Sequence, residues 1–425
     1  MNKILSSTKN RLMLSLSYQK FTSLPNSPPT LDMDPGVWSR LPPEILEHIL
    51  SFLPLKTVML LRSTCKLFKS LIYSPSFVSK HSSTPSPFSS FILLSHAQCH
   101  NHFPLYDSVA GAWRDPAILH SLFVPSFEPF NLLSSSNGLF CISLPSSSSL
   151  VVSNLLSRSS RIIEFPSYPF AFEIVTLVST PVGYKIFMLC SEFPSNYAFV
   201  YDSSTYSWTR FNCSEPILCG NNYQPCVCYN DSLYFTTEEP FSIVCFNLES
   251  GKWYRPRIEL PGELMFGKLV TGGERKVYLV GGEGRNGISR SVKVWELNEG
   301  GMNFVEIERM PALMCRKFMA VCYHNYGHVY CFWHEGMICI CCYTWPDILY
   351  YEVAMRRWHW LPRCPSLPYK WSCGFRWFSF VPNLYALAWN PFCGKSMITV
   401  DHAQVMLQLK TPIVTKIYYL QNLQI

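Results

Sequence analysis

One recurring aromatic pair constrains the fold of this chain more than any other feature. In its clear copies a Tyr or Phe is followed seven residues later by a Trp, with a short turn-forming segment between them. Four clear copies occur, at Tyr106–Trp113, Tyr201–Trp208, Phe246–Trp253 and Tyr351–Trp358. A looser copy runs from Trp295 to Phe304, and the weakest, at residues 151–163, lacks the aromatic residue. Because β-rich segments flank the copies, the pattern predicts a series of repeated strand hairpins.

The spacing of the copies indicates the kind of repeat. They recur about every 50 residues, with the weak copy filling a double interval, and this period resembles that of the kelch repeat. Residues 276–297, KVYLVGGEGRNGISRSVKVWEL, also contain the Gly281-Gly282 pair found in that family. The resemblance implies an all-β propeller with four strands per blade. Six copies predict six blades, with seven left open, and residues 377–387 are predicted to form the last strand, which pairs with the first blade.

Function is predicted to lie in the loops that differ between blades. A Trp at a fixed position in every repeat is typical of packing between neighbouring blades rather than of a ligand site. The variable loops are residues 191–197, 236–242, 283–291 and 333–337. Within them Arg285 and Arg290 are the candidate substrate-binding residues, since paired arginines at a rim can hold an acidic or phosphorylated segment. Solvated loop charge is the alternative interpretation of these two side chains.

Residues 40–72 stand apart from the repeats because they have a helical pattern. Leu41-Pro42-Pro43 opens the segment, and apolar residues then recur along one face of a first helix that ends at Pro54. A second helix is predicted from Lys56 and a third around Lys66–Ile72. Helices of this total length cannot enclose a core of their own. Their surplus apolar surface must therefore pack on the rest of the chain or on a partner, and the pattern alone favours neither.

The same segment resembles an F-box. It reads WSRLPPEILEHILSFLPLK from Trp38 and RSTCKLFKSLI from Arg62, and this order of prolines, aliphatic residues, Arg, Cys-Lys and Leu-Ile is the pattern of that family. Phe68 departs from the pattern, because the family usually has Trp there. The resemblance implies that the segment docks a Skp1-type subunit of a cullin-based ubiquitin ligase. The residues expected to contact that subunit are Leu41, Pro42, Ile45, Leu46, Ile49, Leu50, Leu53, Pro54 and Leu55.

The two signatures predict a small all-α F-box domain of three helices followed by an all-β kelch-type propeller. The predicted boundaries are a disordered leader at 1–36, the F-box at 37–80, the propeller at 81–395, and a tail or extra strands at 396–425. The leader is rich in serine and basic residues. This composition is also typical of a transit peptide, so organelle targeting stays open.

Charge and hydropathy argue against two classes of partner. Residues 81–425 carry 25 basic and 24 acidic residues, so the large domain lacks the basic stripe that nucleic-acid binding requires. No apolar run reaches the length of a membrane span, since Pro346 and Asp347 interrupt the longest candidate. The 18 cysteines fall mostly within apolar strand-like runs such as MICICCY. Buried reduced thiols of this kind predict a protein of the nucleus or cytoplasm.

No catalytic, metal or cofactor site is predicted. The segment CYHNYGHVYCFWH, residues 322–334, contains five possible zinc ligands, but its alternation predicts a hairpin with His324 opposite His328 and the cysteines apart from them. The chain contains no paired C-x2-C of the zinc-ribbon kind, phosphate loop, G-x-S-x-G or H-E-x-x-H motif. Since some propellers of this superfamily are copper oxidases, a ligand-binding or metal-binding propeller is kept as an alternative.

The two signatures together resemble those of plant F-box/kelch-repeat proteins. This resemblance implies a non-catalytic substrate adaptor of a Skp1–cullin–F-box ubiquitin ligase. The F-box is expected to bind a Skp1-like protein, and through it the cullin and RING subunits. The propeller is expected to hold an unidentified protein substrate for ubiquitination and degradation. The alternative is a scaffold or transcriptional co-regulator that acts outside the ligase.

Overall fold

The computed structural model describes a helical domain followed by a ring of β-sheets. The predicted leader at 1–36 and the predicted tail at 396–425 lie outside the described residues. The residues that the structure describes are 40–53, 55–83, 90–99, 103–114, 131–143, 149–157, 159–165, 171–192, 195–213, 226–237, 241–273, 276–322, 324–367 and 370–386.

The helical domain has four helices, one more than predicted. They are α1 (Pro43–Ser51), α2 (Leu55–Arg62), α3 (Lys66–Ile72) and α4 (Pro75–Ser83). The additional helix α4 begins with a capping arrangement, because Ser74 Oγ accepts a hydrogen bond from the backbone N–H of Phe77 and Pro75 is the first helical residue. Glu47 on α1 and Lys80 on α4 form an ion pair of 3.1 Å. The fourth helix also supplies Phe77 to the core, where this side chain is fully buried.

Six four-stranded antiparallel sheets form the ring, which confirms the predicted number of blades. Blade 1 contains β1 (Phe91–Ser95), β2 (Leu105–Asp107), β3 (Ala112–Arg114) and β24 (Arg376–Phe380). Blade 2 contains β4 (Asn131–Ser136), β5 (Leu139–Ser143), β6 (Ser149–Asn154) and β7 (Ser159–Glu164). Blade 3 contains β8 (Ala171–Thr180), β9 (Gly183–Glu192), β10 (Ser195–Asp202) and β11 (Ser207–Cys213).

The remaining three blades follow the same strand order. Blade 4 contains β12 (Val227–Tyr229), β13 (Ser232–Thr237), β14 (Ser242–Asn247) and β15 (Trp253–Tyr254). Blade 5 contains β16 (Leu264–Thr271), β17 (Val277–Arg285), β18 (Ile288–Leu297) and β19 (Phe304–Arg309). Blade 6 contains β20 (Val329–His334), β21 (Met337–Cys342), β22 (Trp345–Glu352) and β23 (Arg357–Trp360).

The chain closes the ring with its last described strand, as predicted. β24 pairs antiparallel with β1, with Phe91 opposite Phe380, and it lies beside the first strands of blades 2 and 6. His334, at the end of β20, connects blade 6 to β24 and to the residue that follows β2. Its ring is hydrogen-bonded to Ser108 Oγ, and its Nδ1 lies 2.9 Å from Ser379 Oγ. His334 is fully buried, and burial lowers the pKa of its imidazole to about 4.

The buried His334 predicts that the fold loses stability in mild acid. Its pKa is about 4 in the folded protein and about 6.5 in an unfolded chain, so between these values the unfolded chain binds more protons. The free energy of unfolding is therefore unaffected by the titration of His334 above the unfolded pKa. It falls by about 2 kcal/mol between pH 7 and pH 5. Denaturant unfolding at the two pH values measures the loss. The His334→Gln variant cannot gain this proton, and an unchanged pH dependence in that variant would contradict the assignment.

In four of the six blades the recurring aromatic pair faces across the hairpin formed by the last two strands. In blade 2 the matching positions hold Ser153 and Ser160, which explains why that copy is the weakest in the sequence. The facing pairs in the four clear copies are Tyr106 with Trp113, Tyr201 with Trp208, Phe246 with Trp253, and Tyr351 with Trp358.

Tryptophans of this set also reach the neighbouring blade. Trp113 Nε1 donates a hydrogen bond to the Pro362 carbonyl, which follows the last strand of blade 6. Trp208 Nε1 in blade 3 donates to the Glu164 carbonyl in blade 2, and both bonds measure 2.8 Å. These contacts confirm that the fixed tryptophans pack between blades.

The connection from blade 5 to blade 6 contains a helix that was not predicted. α5 runs from Ala312 to Cys322 directly after Pro311, a residue that suits a helix start. One side of α5 is buried in a core shared with blades 5 and 6. The hairpin predicted for residues 322–334 is wrong, because α5 ends at Cys322 and only β20 is a strand. His324 therefore has no hairpin partner at His328, which lies in a 3-10 turn.

Strand order gives the ring two unlike faces. In an up-and-down sheet the turns after the first and third strands lie at one end, and the remaining turn and the connection to the next blade lie at the other. The first end, which we call the turn face, carries short turns such as 137–138, 181–182 and 335–336. The second end, the connection face, carries longer segments that include 255–263 and α5.

Candidate partner-binding surfaces

Three exposed apolar side chains form a stripe along α1 and Phe52, the residue that directly follows it. We call it the α1 stripe. Ile45, Ile49 and Phe52 are spaced at i, i+4 and i+7, which places them on one side of the helix. Their exposed fractions are 48%, 38% and 60%. Burial of side chains of this size in the groove of a partner is strongly favourable. The ring does not cover this stripe, so α1 offers a surface for a second protein.

The structure places part of the predicted Skp1-binding set at the surface. Pro42, Ile45 and Ile49 are exposed, and Leu41 is half-buried. Pro54 lies outside the described residues. The exposed members of the predicted set lie in the first helix and its entry.

The other part of that set belongs to the core of the helical domain. Leu50 is only 5% exposed, so its role is to hold the helices together rather than to present a docking surface. Leu46, Leu53 and Leu55 are half-buried and pack against the same core. Truncation of these four leucines would therefore test folding and binding together.

Sequence reasoning missed three exposed apolar residues of the helical domain. Phe52 completes the α1 stripe, and its i+7 spacing from Ile45 was the available signal. Leu60 on α2 and Leu67 on α3 are 61% and 64% exposed. Nothing in the helical pattern separates Leu60 from the fully buried Val58 two residues earlier.

The core of the helical domain is completed by residues of the propeller. Leu384 and Tyr385, which follow the closing strand β24, and Leu156, which follows β6, pack in the same cluster as Leu50 and Phe77. Leu384 is 2% exposed. All three propeller residues lie at the turn face, so the helices rest on that face of the ring. We call this contact the joint.

Polar contacts fix the joint. Arg62, at the end of α2, donates from Nη1 to the Leu156 carbonyl at 3.1 Å. The fully buried Asn154 donates from Nδ2 to the carbonyls of Asn383 and Ala386, at 2.8 and 2.7 Å. These bonds hold the segment after β24 against blade 2, where it can enter the helical core.

A buried histidine lies at the centre of the joint. His81 on α4 is 2% exposed, and its Nε2 lies 3.1 Å from the Leu53 carbonyl oxygen. Its ring stacks on Phe77 and meets the edge of Tyr385, with centroids 5.4 and 5.7 Å away. Burial lowers the pKa of His81, although the bond to Leu53 opposes this effect. Burial in the joint therefore favours the neutral form of this imidazole.

The turn between β4 and β5 contacts the segment after β24, so a substitution in this turn should disturb the joint. Asn137 and Gly138 have φ of 45° and 80°, and a Cβ on Gly138 would lie 2.6 Å from the backbone nitrogen of Asn383. We expect Gly138→Ala to lower the free energy of unfolding by about 1 to 3 kcal/mol, through backbone strain and this clash. Denaturant unfolding measures the change.

Gly336 provides the matched control. It occupies the equivalent turn of blade 6 with φ of 85°, and a Cβ there would contact nothing within 4 Å. Gly336→Ala therefore adds backbone strain without a clash, and it should lower the free energy of unfolding by less than Gly138→Ala. Equal losses in the two variants would show that the segment after β24 does not press on the turn.

The two candidate substrate-binding arginines lie on the β17–β18 hairpin at the connection face. Arg285 Nη2 lies 2.9 Å from Glu263 Oε1, and both side chains are mostly exposed. Arg290 is exposed, and its carbonyl oxygen lies 4.0 Å from Cys315 Sγ on α5. Both arginines thus lie on the face opposite the joint.

Three features of the described part of the chain bear on metal binding, membrane insertion and cysteine reactivity. It contains no group of three or more His, Cys, Asp or Glu side chains that could hold a metal ion. None of its helices is both long and apolar enough to cross a membrane. Its cysteines are free, and burial raises the pKa of the Cys141 and Cys331 thiols to about 12. These two thiols therefore stay protonated and unreactive at neutral pH.

Comparison with known proteins identifies both domains. The F-box domain family matches residues 38–80, and the family described as F-box associated beta propeller domain matches residues 118–280. An F-box/kelch-repeat protein of Arabidopsis thaliana is 50% identical over 378 residues, which is 85% of this chain and 92% of that protein. The chain belongs to the F-box/kelch-repeat family. The F-box is thus the helical domain, and the kelch-type propeller is the ring.

Two more distant relatives match most of this F-box/kelch-repeat chain. F-box only protein 6 of Arabidopsis thaliana is 28% identical over 352 residues, covering 78% of this chain and 71% of that protein. Protein UNUSUAL FLORAL ORGANS of the same species is 24% identical over 368 residues, covering 78% and 80%. Neither matching family is described as an enzyme family.

Proposed function

We propose that this F-box/kelch-repeat protein is the substrate-recognition adaptor of a Skp1–cullin–F-box ubiquitin ligase. Its F-box binds a Skp1-type subunit, and through it the cullin and RING subunits, in the nucleus or cytoplasm. Its propeller binds the protein substrate. The observation that carries this proposal is the α1 stripe, because Ile45, Ile49 and Phe52 stay exposed although the joint buries other apolar residues of the same domain.

The geometry suits an adaptor that makes and breaks no bonds. The joint fixes the F-box on the turn face, so the described segments of the connection face point away from the F-box. We place the substrate on that face. A substrate held there stays near the ubiquitin carrier at a high effective concentration, which is the contribution required of an adaptor. A fixed joint increases this effect because it restricts the volume that the substrate explores.

Protein turnover tests the proposal. Tagged full-length protein and its Ile45→Glu/Ile49→Glu variant are expressed in plant cells, and the proteins retained by each are identified and quantified. The parent should retain Skp1-type and cullin subunits, whereas the variant should lose both and keep its propeller partners. Propeller partners should accumulate in cells that express the variant.

Val182→Glu is the matched control, because this exposed apolar residue lies in a turn of blade 3 and is 67% exposed. It should behave like the parent in both retention and turnover. Unchanged partner levels in the Ile45→Glu/Ile49→Glu cells would contradict the ligase role and favour the scaffold alternative.

A further inference from the structure

The connection face of blade 5 and the helix that follows it carry an exposed basic surface. We call it the basic patch. All of its members are exposed side chains at or near the ends of β17, β18 and β19 or on α5. They are Arg285, Arg290, Arg309, Arg316 and Lys317.

The fold brings these residues together from three segments. Arg309 ends β19 beside β18, and the next residue, Met310, donates a backbone hydrogen bond of 2.9 Å to the Val292 carbonyl. Cys315 on α5 lies with its Sγ 4.0 Å from the Arg290 carbonyl oxygen. The helix therefore lies against the hairpin that carries the two predicted arginines, and it adds two further cations to them.

Acidic neighbours neutralise only part of the patch. Arg285 pairs with Glu263 at 2.9 Å, but both side chains are mostly in solvent, where such a pair contributes little. Lys317 Nζ lies 4.0 Å from Asp347. The other three basic residues of the patch have no ion pair with any described residue. Positive charge is therefore available to a binding partner.

The opposite ends of blades 5 and 6 show that this charge belongs to the connection face. Their described turns carry Lys276, Glu299, Glu335 and Arg356, which are balanced in sign. Lys276 is also paired with Glu296 at 2.9 Å. Among the described residues, the cluster of basic side chains thus lies at the end remote from the F-box, where acidic side chains such as Glu263 and Asp347 also occur.

Exposed apolar side chains lie among the basic ones. Ile288 at the hairpin and Leu313 on α5 are 51% and 74% exposed. Leu313, Arg316 and Lys317 are spaced at i, i+3 and i+4, so they share one side of the helix. The surface therefore offers an apolar contact next to several cations.

We propose that the basic patch binds an acidic segment of the substrate protein that also carries an apolar side chain. Charge complementarity selects the segment and speeds its association, and the apolar contact adds affinity. The negative charges come from Glu and Asp side chains or from phosphate groups, since arginine recognises both. This inference rests on the proposed adaptor function, because the bound segment is part of the substrate.

A peptide array tests this inference on the full chain, which is expressed together with a Skp1-type subunit and assayed for retention of that subunit. The probes are 12-residue peptides with one Leu and four Glu residues in varied order. One matched set carries Gln at all four Glu positions, and a second carries phosphoserine at two of them and Gln at the other two. Each set is bound by the parent, by Arg290→Glu/Arg316→Glu, and by the control Lys252→Glu/Arg356→Glu. The control reverses two exposed cations of the turn face.

The parent and the control should bind Glu peptides at least about tenfold more tightly than the Gln peptides at low salt, and added salt should reduce this preference. Arg290→Glu/Arg316→Glu should lose it. Two phosphoserines carry about the charge of four Glu residues at pH 7, so stronger binding of the phosphoserine set assigns the charge to phosphate, and equal or weaker binding assigns it to carboxylates. Equal binding of Glu and Gln peptides by the parent, or an unchanged preference in Arg290→Glu/Arg316→Glu, would overturn the inference.

Retention of the Skp1-type subunit separates this inference from the adaptor proposal. All three proteins should retain that subunit equally, because neither pair of substitutions lies on the F-box. If the subunit is retained but acidic peptides are not preferred, the proposed role of the basic patch is wrong and the adaptor proposal stands. If the protein prefers acidic peptides but does not retain the subunit, the adaptor proposal is wrong.

Discussion

The Ile45→Glu/Ile49→Glu variant should bind a Skp1-type subunit at least about 100-fold more weakly than the parent. Both side chains belong to the exposed stripe on α1, and a carboxylate buried in an apolar groove without a partner costs several kcal/mol. The fold should tolerate the change, because both positions are open to solvent. A carboxylate at Ile45 also lies near the start of α1, where the helix dipole favours negative charge. Isothermal titration with the purified subunit measures the affinity.

A folding control keeps this result interpretable. The thermal midpoint of the Ile45→Glu/Ile49→Glu variant should stay close to that of the parent. Val182→Glu places the same charge on an exposed apolar position of the propeller and should leave the affinity unchanged. Tight binding by the α1 variant would show that the stripe is not the docking surface.

Leu384→Ala should destabilise the F-box although residue 384 lies outside it in the sequence. Leu384 is 2% exposed and packs in one cluster with Leu50, Val58 and Phe77. Removal of a buried leucine side chain costs about 2 to 5 kcal/mol, because the contacts are lost and a cavity remains. The loss should be local, so protease cleavage within residues 40–83 should become faster. Limited proteolysis followed by mass spectrometry measures the site and the rate.

Leu279→Ala is the matched control for this prediction. Leu279 is fully buried within blade 5 and belongs to a different cluster. Its truncation should lower overall stability by a similar amount without a selective increase in cleavage within residues 40–83. If Leu384→Ala left that cleavage rate unchanged, the F-box would not depend on the joint.

Repetition made the propeller predictable from sequence. The facing pair of Tyr201 and Trp208 occupies the same register in four blades, so its spacing is visible in the chain. The closing strand was predictable for a related reason, because a ring of repeats needs a strand for its first sheet. α5 has no counterpart in the other repeats, so no recurring pattern marked residues 312–322 as a helix. The hairpin predicted for residues 322–334 rested on a short alternating segment, which is a weak signal.

The candidate surfaces were only partly predictable, because exposure depends on packing between distant segments. The helical period groups Ile49 with Leu50, yet one is exposed and the other buried. Leu50 is buried by Leu384 and its neighbours, which lie far along the chain. Arg285 and Arg290 were visible as a pair in one loop. Arg309 and Arg316 join them only through the fold around β18 and α5.

Hydrogen–deuterium exchange of the full chain, with and without a Skp1-type subunit, tests most directly the central claim that the two binding surfaces lie on opposite faces. The subunit should slow exchange in residues 43–53, where the α1 stripe lies, and should leave the β17–β18 hairpin and α5 unchanged. Unchanged exchange in residues 43–53, or protection at the hairpin and α5, would contradict the account.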